Sequence, residues 1–216
     1  MLDQALDERH PLLERVKFLA ITGTNLDEFF MVRVATILRQ IKNGSESLTS
    51  DGLTPKQQFS EIHGRTEKML QDQHSAWLLL RPLLEKNGVK FLEMRSYNDG
   101  IKEYLHGRFM NEIYPVLTPM AFDPGHPFPH ISSLSMNLAV VVRHNQETKF
   151  ARVKIPDVLP RFLEIPESVS GQDKIVFVFL EDVIRSNIDE LFPGTEIRDI
   201  RLFRIIRDTD LVIQED

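Results

Sequence analysis

Hydrophobic periodicity changes once along this chain, at Gly88, and that change limits what the chain can fold into. Before Gly88, apolar residues recur three and four apart, as on one face of a helix. After it they gather in strand-sized runs such as Val89–Leu92, Leu138–Val142 and Ile175–Leu180, with helical stretches between them. Strands interspersed with helices give an α+β fold. The expected organisation is an N-terminal three-helix domain over 1–88, followed by a mixed α/β head domain over 89–216.

The helical part carries its own punctuation. Pro11 suits a first helical position, where its missing N–H costs nothing. Leu12, Leu13, Val16, Leu19 and Ala20 follow at helical spacing, and Gly23 reads as the stop. Thr24 and Asn25 read as caps of a second helix, Leu26 to about Lys42, with Glu28 at capping-box distance from Asn25. Asn43-Gly44 ends it. Thr54-Pro55-Lys56-Gln57 opens a third helix with cap, proline and reciprocal glutamine in place. That helix runs toward Asn87, with Pro82 as a kink or break.

In the head, the spacing predicts a strand over 89–92 and a helix over 99–114 ended by Pro115. Further strands fall over 138–143, 150–155, 161–165 and 174–179. A helix over 181–192 and a long strand over 197–207 complete it.

Composition narrows the class. With 216 residues, 42% of them hydrophobic, the chain can bury a core of useful size. A net charge of −6 argues against general attraction to nucleic acid or anionic lipid. The absence of cysteine excludes disulfides and thiolate chemistry and fits a cytoplasmic protein. No apolar run approaches the roughly 20 residues of a membrane helix, and no signal-peptide pattern opens the sequence. The chain starts inside helical patterning and stops just after a strand-like run, which reads as a piece of a longer protein. A complete short protein with frayed ends is the alternative.

Three sets of residues offer chemistry. The turn expected before Leu26 would expose backbone N–H groups at a helix N-terminus, a site for an anion, with Asp27 and Glu28 competing for it. Asn25 there presents a donor and an acceptor side by side, matching the edge of adenine. The competing reading is that Asn25 only caps the helix. Asp123, His126 and His130 have metal-ligating side chains. They lie in a segment with four prolines in eleven residues, Pro119 to Pro129, that cannot be helical. The favoured reading is a rigid connector whose histidines bond backbone groups, over metal binding. Basic residues recur at Arg15, Lys17, Arg33, Arg39 and Lys42, and at Arg198, Arg201, Arg204 and Arg207. A period of three does not stay on one face of a strand, so the last four make no simple stripe. Trp77 and the phenylalanines read as core. Walker-type, Gly-x-Ser-x-Gly and His-Glu-x-x-His patterns are absent.

Pro11–Ile21 together with Asn25-Leu26-Asp27-Glu28-Phe29 resembles the N-terminal helical domain of the long-chain polyphosphate kinase family. The Asp-Pro-Gly-His-Pro-Phe-Pro-His-Ile run within Phe122–Val142 resembles the start of that family's head domain, and Ala151–Pro166 fits the same domain further on. The likeness runs in order along essentially the whole chain. It implies reversible transfer of the terminal phosphate of ATP to polyphosphate, with Mg2+, through a phosphohistidine. It also implies homo-oligomers in which the head takes part. The phosphohistidine and most nucleotide contacts belong to C-terminal domains that this chain lacks, and none of its seven histidines matches. One functional position carries over, an ATP-contacting Asn that falls on Asn25. Family members also carry an earlier N-terminal segment, with a Trp and an Asn-containing helix, ahead of the point where Met1 stands.

The resemblance therefore implies a chain inactive alone and without stably bound ATP or Mg2+, whose parent acts on ATP/ADP and polyphosphate. The alternative is a non-catalytic module that binds polyphosphate or a protein partner.

Overall fold

The computed structural model describes residues 1–122, 130–144 and 147–208, with backbone only at 121 and 122. The chain forms two compact units. One takes in Met1–Leu84 together with the chain from Ile206, and the other Glu85–Ile205.

In the first unit, α1 (Leu2–Leu6) is followed by α2 (Leu12–Phe29), a π-helical turn at Phe30–Val34, and α3 (Ala35–Lys42). These last three form one unbroken helical path. The expected stop at Gly23 does not occur. Thr22 and Thr24 turn their hydroxyls back onto the Phe18 and Ala20 carbonyl oxygens at 2.9 and 3.3 Å, so neither is a cap. Gly23 instead faces α4 (Pro55–Lys86), where a Cβ would meet Gln73 Nε2 at 3.2 Å. Its missing side chain serves helix packing, and two expected helices merge into one.

Helix α4 starts as its sequence implies. The Gln57 side chain accepts from Thr54 N at 2.9 Å, and Thr54 Oγ1 accepts from Gln57 N at 3.4 Å. Pro82 lies inside the helix without breaking it. Ala5, Leu19, Ala76 and Leu80 form the buried centre of this unit, with Trp77, Phe18 and Val16 against it. Arg15 is buried too. Its Nε donates to the Ala5 carbonyl at 2.9 Å, satisfying the open end of α1.

The second unit holds two sheets. Strand β1 (Val89–Phe91) leads to α5 (Asp99–Arg108), capped by Asn98, whose side chain accepts from Ile101 N at 2.9 Å. A π-helical turn at Phe109–Ile113 and a 3-10 turn at Tyr114–Val116 extend the helical path. Then come β2 (Pro119–Phe122), β3 (Met136–His144), β4 (Glu147–Lys154), β5 (Phe162–Ile165), α6 (Glu167–Ser170), β6 (Ile175–Phe179), α7 (Leu180–Ser186), a 3-10 turn at Ile188–Leu191 and β7 (Glu196–Arg204). The sheets are ordered β1-β6-β5 and β2-β4-β3-β7.

Part of the proline-rich connector is thus a strand. Pro119 tolerates this because β2 is an edge strand, antiparallel to β4. Between β3 and β7 the register slips at Val141/Val142, leaving Arg198 unpaired as a bulge. One core of Ile101, Leu105, Phe109, Leu138, Val153, Val176, Ile184 and their neighbours joins both sheets to α5 and α7.

Candidate functional site

Asn25 stands within α2, four residues before its last residue Phe29, exposed, with no helix N-terminus beside it. It caps nothing, and the anion site expected at a turn before Leu26 has no turn to form it. Its amide makes no side-chain hydrogen bond to a described residue. Instead it opens onto a cleft of about 380 Å3 lined by Thr22, Leu26, Phe29, Thr66, Met69 and the two residues at the start of the chain.

Helical geometry makes this wall. Thr22, Asn25, Leu26 and Phe29 stand three and four apart on one face of α2. Thr66 and Met69, three apart, supply the α4 side. Both threonine hydroxyl protons are committed inward. Thr22 donates to Phe18 O, and Thr66 to Ile62 O at 2.9 Å and His63 O at 3.0 Å. Their lone pairs remain available as acceptors. The cleft therefore combines apolar and aromatic walls with one free amide, a pattern suited to a flat heteroaromatic ring with one polar edge. Directly after Phe29 comes the π-helical turn, a local widening that often accompanies functional positions. Thr22, Phe29, Thr66 and Met69 escape a reading that ends the helix at Gly23. For Thr22 and Phe29 the only sequence signal is their spacing from Asn25 on a continuous helix, and Thr66 and Met69, on α4, carry none.

Of the nine basic residues singled out by the sequence, Arg39, Lys42 and Arg207 line one cleft and the other six do not. Arg15 satisfies α1, and Lys17 pairs with Glu14 at 3.5 Å. Arg39 pairs with Asp208 at 3.3 Å, beside a smaller cleft that also holds Lys42 and Arg207. Arg198 and Arg201 pair with Glu196 and Asp199, both at 2.9 Å. Arg201 holds the Asp199 carboxyl below the usual carboxylate range through their hydrogen bond. No group of metal-ligating side chains comes together among the described residues. Asp123 and His126 lie outside those residues, and His130 is exposed. No described helix is long and apolar enough to cross a membrane.

The head contributes a second buried polar feature. Arg152 Nε donates to Asn137 Oδ1 at 2.8 Å, and Asn137 Nδ2 donates to Ser135 O at 2.9 Å. Arg152 also reaches the His130 carbonyl at 3.4 Å. This network ties β4 to β3 and to the end of the proline-rich segment, a structural role.

A helical unit followed in sequence by an α+β unit matches two consecutive domains of a known kinase family. Residues 1–92 match the polyphosphate kinase N-terminal domain and residues 101–216 the polyphosphate kinase middle domain. The chain belongs to the polyphosphate kinase family. It is 43% identical over 223 residues to a polyphosphate kinase of Prosthecochloris aestuarii and 44% identical over 224 residues to one of Synechocystis. Each alignment takes in 100% of this chain and 31% of the relative. The crystal structure of polyphosphate kinase from Porphyromonas gingivalis superposes with a TM-score of 0.85 at 29% identity, over 98% of this chain and 31% of that one. The chain thus spans about a third of the length of the relatives it matches.

Proposed function

We propose that this chain is the N-terminal helical portion (1–88) and head portion (89–216) of a cytoplasmic polyphosphate kinase, which transfers the terminal phosphate of ATP reversibly to polyphosphate with Mg2+. Family membership over both segments supports this reading most strongly. Within the chain, Asn25 is the nucleotide-contacting residue. Its exposed, unbonded amide above an apolar cleft supports recognition of the adenine edge. Phosphoryl transfer requires cations positioned around the transferred group, and the family resemblance assigns these to further domains of the parent. The chain alone is accordingly inactive, and transfer belongs to the longer, homo-oligomeric parent.

The test is ATP-dependent polyphosphate synthesis by the purified chain and by a polyphosphate kinase containing it. Synthesis by the longer protein and none by the chain is the expected result. Synthesis by the chain alone, free of contaminating kinase, overturns the division of labour. No synthesis by the longer protein overturns the kinase reading itself and leaves polyphosphate or protein binding as the function.

A further inference from the structure

A cleft of about 410 Å3 opens in the second unit, where His106 of α5 meets Asn187 at the end of α7. Met94, Tyr97, Lys102, Glu103, His106 and Asn187 line it. None of them takes part in the Asn25 cleft. Tyr97 is 6% exposed, and its hydroxyl is buried without a hydrogen-bond partner among the described residues. A buried donor left unmade is costly, and a ligand that reaches it removes that cost. Burial, reinforced by the nearby Asp182 carboxylate, holds the phenol above its ordinary range, so it keeps its proton and can donate.

His106 is held in one tautomer. Asn187 Nδ2 donates to the Val183 carbonyl oxygen at 2.8 Å, and a carbonyl only accepts, so the orientation of the amide is fixed. Asn187 Oδ1 must then accept, and the neutral His106 ring supplies the proton from Nδ1 at 2.8 Å. Its Nε2 keeps a lone pair, with no partner among the described residues. Glu103, three residues earlier on the same helix, is exposed and likewise pairs with no described residue. Lys102 carries the opposite charge. Its ammonium pairs with Asp99 at 3.3 Å, an exposed contact that a ligand can exchange.

We infer that this cleft binds a small zwitterion of the α-amino-acid class with an aliphatic side chain. The ligand's ammonium donates to the Glu103 carboxylate and His106 Nε2. Its carboxylate accepts from Lys102 and the Tyr97 hydroxyl, and its side chain lies along Met94. A simple cation meets the Lys102 ammonium here, and a simple anion meets the Glu103 carboxylate. Only a ligand bearing both signs finds a partner for each. The volume suits a small molecule of this size.

The probe is free leucine, titrated into the intact chain and followed by amide NMR shifts. Leucinamide, which lacks the negative charge, and N-acetylleucine, which lacks the positive one, are the controls. Leucine is expected to bind about tenfold more tightly than either. Glu103→Gln should weaken leucine severalfold and leave N-acetylleucine no weaker. Lys102→Gln should weaken leucine severalfold and leave leucinamide no weaker. Because the Tyr97 hydroxyl has no partner to lose, Tyr97→Phe should weaken leucine severalfold while the melting temperature holds or rises. No detectable leucine binding, equal binding of the three probes, or wild-type leucine affinity in Tyr97→Phe or Glu103→Gln overturns the proposal. So does a melting temperature lowered by Tyr97→Phe, since the hydroxyl then has its partner within the fold.

Discussion

Gln73 Nε2 donates to the Leu19 carbonyl oxygen at 3.0 Å, joining residues 54 apart in sequence at the point where α2 passes α4. Gly23, one turn beyond Leu19, leaves room for the amide. Removing the bond by Gln73→Ala should cost about 1 kcal/mol in urea unfolding. Gly23→Ala carries a helix-propensity gain of about 1 kcal/mol, but its Cβ would crowd Nε2. The gain should appear only when Gln73 is already Ala, and a double-mutant cycle measures that coupling. Additive effects would refute it.

Asn25 is exposed, so Asn25→Ala should leave the melting temperature unchanged. In a polyphosphate kinase containing this chain it should raise KM for ATP about tenfold, the equivalent of one hydrogen bond in a cleft. Asn25→Asp keeps the shape but loses the donor, and should act in the same direction. An unchanged KM for ATP in both variants removes Asn25 from the nucleotide site.

Arg161 forks onto Glu181, with NH2 at 2.7 Å and Nε at 3.2 Å from Oε1. Glu181 is only 6% exposed, whereas the Arg161 side chain is 51% exposed. Taking Arg161 away leaves a buried carboxylate without its partner, so Arg161→Ala should cost about 2 kcal/mol, below the fully buried range because the guanidinium is half in water. The double variant Arg161→Ala/Glu181→Gln should be more stable than Arg161→Ala alone. Equal stability in chemical denaturation would contradict this account.

Burial, reinforced by the neighbouring Glu181, raises the Asp182 carboxyl above the ordinary carboxylate range, against the pull of Arg185. A carboxyl raised on folding takes up a proton more readily in the folded chain. Its favourable contribution is present below the unfolded value and lost as pH rises through the folded one. Asp182→Asn should therefore raise the melting temperature at neutral pH and change it little in acid. A stability difference that shrinks as pH rises would reverse the sign and reject the assignment.

The sequence by itself determined the α+β class, the change of grammar near Gly88, the capped start of α4 and most strands of the head. Those features rest on local forces: periodic burial, the Thr54–Gln57 capping box and strand-sized apolar runs. The proposed role of Asn25 rests on resemblance and not on local physics, because a lone asparagine after Gly-Thr reads locally as a cap. Only the tertiary structure decided that α2 continues through Gly23. Gln73 arrives from 54 residues away, and no local pattern announces a close helix contact. The same holds for β2, whose Pro119 reads as a breaker until β4 makes it an edge strand.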